Sequence, residues 1–395
     1  MTARLSAANK TEGSTRKGPV NLLILIDKFD YWNSSVSGPV RYFSWLVERL
    51  DRRRFRPVVC SLRAAGPAEK VLRRLGLEVR FLGLGKYQPR AVLRVMQLVR
   101  SERIDLMHLN GYASTTIGRI VGLLTGVPAI VQEHYVDPGI TRPQMLLERT
   151  LARVARSPAI AVSAYAGRFL TEAKGFDPAQ VEVIWNGIPV ERFASAPLAA
   201  GVRLRERWGL PPDRPVVGTV GMLHPNKGHR FLIEAVRELL QRGLEASLVV
   251  VGEGAVRADL EARCAALGLD GRVFLVGRHL DMPAVYRAFD IYAQASISEA
   301  AGLSVLEAMA SGLPIVTSAA GGPNEVITDG VSGLIVPTED SGALAAAIAR
   351  LVREPGLARR LAAGAAAASR SFDLDETVRR IEAVYERVLE QRAAA

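Results

Sequence analysis

Glu299-Ala-Ala-Gly302-Leu-Ser-Val-Leu-Glu307-Ala-Met-Ala-Ser-Gly312-Leu-Pro-Ile315-Val-Thr317 packs a glycine-bearing loop, a short helix and a strand into one stretch. The run Val305–Ala310 is expected to be helical, with Glu307 in its first turn. A loop entering a helix offers unpaired backbone N–H groups and the positive end of the helix dipole, which suits phosphate. Carboxylates beside it can accept hydrogen bonds from sugar hydroxyls, so the stretch reads as a site for a sugar attached to a diphosphate. A carboxylate near a helix N-terminus is favourable without any ligand. That explanation leaves the following strand and the Gly321-Gly322-Pro323-Asn324-Glu325 turn into another helix unaccounted for.

The strand–loop–helix unit recurs along the chain. Strand candidates in the first half are Val20–Ile26, Pro57–Leu62, Val79–Leu82, Leu106–Leu109, Ala129–Gln132, Ala159–Val162 and Val181–Ile184. In the second half they are Val216–Val220, Leu248–Val251, Val273–Val276, Ile291–Ala293, Ile315–Thr317 and Leu334–Val336. Short β-branched runs alternating with amphipathic stretches indicate parallel sheets covered on both faces. Pro, Gly and Ala break the rhythm between Glu191 and Pro215, as in a linker. The expected organisation is a disordered leader over 1–18, a first Rossmann-like domain over 19–195, a linker over 196–214, a second Rossmann-like domain over 215–371, and a helix and tail over 372–395. The final stretch has one apolar stripe, including Val378, Ile381, Val384, Tyr385 and Val388. Two placements stay open for it: on the second domain, or crossing back to the first.

At 395 residues, 49% hydrophobic and 23% charged, the chain fits a two-domain globular protein. No apolar run reaches the ~20 residues of a membrane span. The polar opening segment, with Lys10, Arg16 and Lys17, lacks the apolar core of a signal peptide, which points to the cytoplasm. Cys60 and Cys264 read as buried thiols, and the histidines show no zinc spacing. The net charge is +11 and arginines crowd the first half, among them Arg41, Arg49, Arg52, Arg53, Arg54 and Arg56. Solvated helix faces, an anionic membrane surface or nucleic acid would each account for them. Tyr42, Phe43, Trp45, Leu46 and Leu50 among these arginines suggest an interfacial amphipathic helix and a peripheral position on the inner membrane face. No aromatic RNA-binding motif or zinc-finger spacing supports nucleic acid.

Further candidates sit at strand ends. Gly221-Met222-Leu-His-Pro-Asn-Lys227-Gly228 follows a strand, and Lys227 is either a turn lysine or a phosphate cation. His134 follows Ala129–Gln132, as a structural histidine or one facing a sugar. Asn186-Gly187 is a turn signal or a ligand contact, its residues tolerating positive φ. Ser34-Ser-Val-Ser-Gly38-Pro39 leads into a helix near Val40 and lacks the GxGxxG of a nicotinamide site.

In this order the motifs resemble the retaining GT-B glycosyltransferases of family 4, also called group 1, from about Val20 to Leu389. The resemblance rests on Glu299 and Glu307 as an E-x7-E pair, and on Val220-Gly221 with Lys227-Gly228. It also rests on Asp281, Tyr286 and Asp290 before Ala295-Ser296, on Ala161-Val162-Ser163, and on Val183 to Ile188 with Phe193. It implies an α/β GT-B fold, two Rossmann-like doubly wound domains facing across a cleft. The second would bind a nucleoside-diphosphate sugar donor and the first a glycan or lipid-linked acceptor, in polysaccharide or glycolipid synthesis. By the same resemblance Glu307 holds the donor ribose. Glu299, with the backbone of Ala301, Gly302 and Leu303, holds the sugar and diphosphate. Lys227 stabilises the leaving diphosphate, Gly38 closes over the donor, His134 lies near the anomeric carbon, and the Arg278 backbone meets the base. No cofactor or metal is implied. The chain departs from the pattern at Met222, where many relatives carry arginine, and at Ser37-Gly38, where many have two glycines. Other readings are a nucleotide-sugar epimerase of the same fold and a non-enzymatic module binding membrane or nucleic acid.

Overall fold

All thirteen apolar runs become parallel strands in a computed structural model that describes residues 18–29, 38–66, 68–74, 76–85, 88–136 and 139–394. The expected leader, up to residue 17, and Ser34–Ser37 lie outside the described residues. The first sheet is built from β1 (Val20–Ile26), β2 (Phe55–Ser61), β3 (Val79–Phe81), β4 (Leu106–Asn110), β5 (Ala129–Glu133), β6 (Ala159–Ala161) and β7 (Val181–Val183), in the order β3-β2-β1-β4-β5-β6-β7. The second is built from β8 (Val216–Val220), β9 (Ser247–Val251), β10 (Val273–Gly277), β11 (Ile291–Gln294), β12 (Ile315–Ser318) and β13 (Leu334–Val336), in the order β10-β9-β8-β11-β12-β13. Helices cover both faces of each sheet, which is why Leu22, Leu23, Ile24 and Leu25 are all fully buried despite alternating sides. The strand order reverses between β1 and β4 and again between β8 and β11. Ligands of doubly wound sheets bind beside the carboxyl ends of strands at such reversals.

Residues 196–214, expected as a linker, include the helix Leu198–Arg207. Gly201 brings it so close to the second half that a Cβ there would stand 2.2 Å from the Arg287 carbonyl oxygen. Arg205 secures it with bonds to the Ala288 carbonyl and Asp290, both 2.8 Å. The last helix, Leu374–Ala394, crosses back to the first domain, where the Asp51 N–H donates to Glu382 at 2.8 Å. Gly187 explains part of this return. It does not take the positive φ expected of a turn glycine; a Cβ there would meet the Leu374 Cα at 2.6 Å, so glycine permits the close approach.

The helix Gly38–Arg49 removes the residues on which the membrane expectation rested. Tyr42, Phe43, Trp45 and Leu46 on it, and Leu50 just after it, are buried in the protein core. The apolar stripe that period alone assigned to lipid is covered by protein.

Candidate active site

The carboxyl ends of the two sheets enclose a cavity of about 730 Å³. Of the sequence-derived site residues, Gly38, His134, Asn186, Lys227, Arg278, Glu299, Ala301, Gly302 and Leu303 line it, and Glu307 does not.

The Lys227 end of the cavity is built from two loops stitched together. After β8 the chain makes a tight turn, Pro225–Lys227, closed by His224 Nδ1 accepting the Asn226 N–H at 3.2 Å. The Asn226 side chain donates to the Ser298 carbonyl at 2.8 Å, and the Ile297 N–H donates to the Asn226 carbonyl at 2.8 Å. This holds the loop after β11 against the lysine turn, and Lys227 pairs with the Glu299 carboxylate. The Glu299 backbone is held by Ala320 and Gly322 at 2.8 and 2.9 Å. Gly302, at φ +71°, then turns the chain into the helix Leu303–Ala310. Residues 302–304 line the cavity, so the helix N-terminus opens onto it beside the lysine.

That helix starts two residues before the expected run, so Glu307 lies in its second turn rather than its first. The carboxylate is fully buried, takes the Tyr286 hydroxyl at 2.7 Å and stands 2.9 Å from Arg41 Nη2. Burial raises its pKa, and Arg41 and Tyr286 oppose the rise. Arg41 comes from the first domain and lines the cavity, with Glu307 behind it.

His134 ends β5 on the opposite wall. Its ring packs on Tyr42 and Phe43, with centroids 4.8 and 5.4 Å away. Burial, and then repulsion from His108, lower its pKa, so it is neutral at pH 7. The Asn186 amide lies 3.4 Å from Nδ1; as donor there it leaves the proton on Nε2, which has no partner among the described residues.

Comparison with known proteins gives this arrangement a family. A model described as glycosyl transferases group 1 matches residues 203–368, and one described as glycosyltransferase family 4 matches residues 36–192. A D-inositol 3-phosphate glycosyltransferase of Salinispora tropica is 33% identical over 327 residues, covering 76% of this chain and 68% of the relative. The chain belongs to the group 1 glycosyltransferases. A 2-deoxystreptamine glucosyltransferase of Streptomyces kanamyceticus is 30% identical over 316 residues, covering 76% of this chain and 81% of that one. Among solved structures, Anabaena HepE in complex with UDP-glucose shares the fold with a TM-score of 0.80 at 23% identity, covering 93% of this chain and 99% of that one.

The group 1 motif residues outside the cavity carry the scaffold. Asp281 caps the helix Met282–Arg287, Asp290 accepts the Val216 N–H at 2.8 Å, and Ser163 caps the helix Ala164–Arg168. Sequence reasoning missed Arg41 as a site residue. Its only signal is its place three residues after Gly38, on the same helix face. It also missed a buried charge cluster in the first domain of this glycosyltransferase. Arg119 lies 2.7 Å from Glu148, Lys174 lies 3.8 Å from Glu148, and Lys174 also pairs with Glu133. Glu133 and Lys174 line the cavity. No local pattern marks these four residues, because they meet only through the fold.

Proposed function

We propose that the enzyme moves a sugar from a nucleoside-diphosphate donor to a glycan or lipid-linked acceptor, with retention at the anomeric carbon and without a divalent metal. The observation that carries this reading is the Lys227–Glu299 pair at the open N-terminus of the helix Leu303–Ala310, across one cavity from neutral His134. Breaking the anomeric C–O bond develops negative charge on the leaving diphosphate. A cation and helix-end amides already aimed at that position stabilise it. Glu299 fixes the lysine and accepts donor-sugar hydroxyls, Glu307 holds the ribose, and the leaving phosphate takes the acceptor proton. The Nε2–H of His134 hydrogen-bonds the sugar, while Asn186 orients the ring. Ala301, Gly302 and Leu303 present backbone groups to the diphosphate, Gly38 closes over it, and the Arg278 backbone meets the base. The binding of UDP and UDP-glucose by HepE supports a nucleotide-sugar donor.

The test is thermal stabilisation by UDP-, GDP-, ADP- and TDP-sugars, followed by NMR of the product formed with EDTA present. Stabilisation by one donor and an axial or equatorial linkage matching it are expected. Inversion, or loss of turnover in EDTA, overturns the corresponding part. A changed nucleotide sugar formed without acceptor would make the protein an epimerase.

The reading places the enzyme at the inner face of a membrane. Among the described residues no helix is long and apolar enough to cross one. Leu93, Leu124 and Leu146 are 62%, 59% and 68% exposed on the helices Arg90–Ser101, Tyr112–Thr125 and Arg142–Ala155, which also carry Arg90, Arg94, Arg149 and Arg153. Exposed leucines among arginines suit an anionic surface. Flotation with phosphatidylglycerol vesicles, lost in a Leu124→Asp, Leu146→Asp variant, checks this; equal flotation of both proteins refutes it.

A further inference from the structure

One cation is missing where a diphosphate would lie. Met222, where the family resemblance implies an arginine, brings a thioether to the cavity wall, and Lys227 is already paired with Glu299. Of the other cations on the wall, Arg63 is committed to Asp27 at 2.7 Å and to the Leu84 carbonyl at 3.1 Å, Lys174 to Glu133, and Lys28, just past β1, is engaged by a partner of its own. Arg278 follows β10, at the end of the cavity the reading gives to the base.

Arg41 is placed differently. It sits in the first turn of the helix Gly38–Arg49, whose Gly38 would bring a Cβ within 3.4 Å of Leu303, the first residue of the phosphate-facing helix. Its Nη2 lies 2.9 Å from Glu307, and its Nη1 is buried with no hydrogen-bond partner among the described residues. Glu307 is four residues into that helix, about 6 Å from its start at 1.5 Å per residue. An arginine side chain spans such a distance by rotamer change.

We propose that Arg41 is the second diphosphate cation, delivered from the first domain and parked on Glu307 while the site is empty. This rests on the donor reading above. Glu307 is not reachable from the cavity until Arg41 leaves it. The incoming ribose hydroxyls replace the guanidinium on the carboxylate, and the released guanidinium pairs with the diphosphate, which a planar fork of donors suits. Donor binding thereby draws the first domain onto the second, and the chain needs no arginine at position 222.

Calorimetry with UDP, GDP and ADP and with their nucleosides tests this on the intact chain. Arg41→Gln, which keeps a hydrogen bond to Glu307 without charge, is expected to weaken the nucleoside diphosphate about 10- to 100-fold, the worth of a charge-assisted hydrogen bond. Nucleoside affinity should hold or rise, because ribose hydroxyls displace a neutral amide from Glu307 more readily than a guanidinium. Arg41→Lys should keep most diphosphate affinity, and Met222→Arg added to Arg41→Gln should restore it. Equal losses for nucleoside and diphosphate, or no rescue by Met222→Arg, overturn the inference and leave the donor reading standing. Failure of the unaltered protein to bind any of the three diphosphates overturns both.

Discussion

The Tyr385 hydroxyl meets His108 Nδ1 at 2.5 Å, joining the last helix of the chain to the middle of the first sheet. Both residues are fully buried, and the Tyr385 ring also packs edge-on to Phe55. The C-terminal helix is therefore part of the first domain's core. Tyr385→Phe should keep the packing and strand a buried imidazole nitrogen, at a cost of about 1–3 kcal/mol. Ile381→Ala on the same helix should cost about 2–5 kcal/mol through a cavity. Urea denaturation followed by tryptophan fluorescence measures both, and unchanged midpoints would mean that the helix docks only loosely.

Gly187 makes the same junction sensitive to one methyl group. The Ile188 N–H donates to the Phe372 carbonyl at 2.9 Å and the Leu374 N–H to the Ile188 carbonyl at 3.0 Å, so neither strand of chain can retreat without losing both bonds. Gly187→Ala should destabilise by roughly 1–3 kcal/mol, as overpacking does. It should also lower activity, because Asn186, next to it, orients His134. Asn186→Ala, by contrast, should lower activity with little change in the denaturation midpoint.

The fold was legible because strands in sheets covered on both faces must be short, continuous and apolar, and these runs are. The Lys227 and Glu299 loops were legible because their spacing is tied to strand ends, which the same runs locate. What stayed hidden depends on which surfaces meet. The stripe Tyr42, Phe43, Trp45 and Leu46 has a helical period, and a period says that a face is covered without saying whether by lipid or protein. Gly187 is a glycine for the sake of Leu374, far along the chain, and Arg41 reaches the cavity wall and Glu307 because its helix abuts Leu303. Each is a tertiary fact with no local mark.

Acid should unfold the protein through its buried histidines. Burial pushes His108 and His229 down to about 4 from 6.5. The unfolded chain then binds protons that the folded chain refuses. Their contribution is complete above pH 6.5 and is lost as pH falls towards 4, by up to about 1.4 kcal/mol per pH unit for each histidine. The melting temperature should fall between pH 7 and pH 5, and His229→Gln, hydrogen-bonding the Met222 carbonyl as His229 does at 3.2 Å, should flatten the fall. An unchanged slope in that variant would remove His229 from the account.

Lys227 and Glu307 should separate in the kinetics. If Lys227 meets charge that appears as the C–O bond breaks, Lys227→Ala loses stabilisation specific to the transition state, and kcat falls by about 100-fold or more. It also leaves Glu299 unneutralised beside the diphosphate, so the double variant Lys227→Ala, Glu299→Gln should be less impaired than Lys227→Ala alone. On the proposed donor reading Glu307 holds a ribose that does not change during reaction, so Glu307→Ala should act mainly by raising the donor KM. Steady-state rates over a range of donor concentrations distinguish these patterns. A pure KM effect at Lys227 would make it a binding residue, and wild-type rates in both single variants would remove the cavity from catalysis.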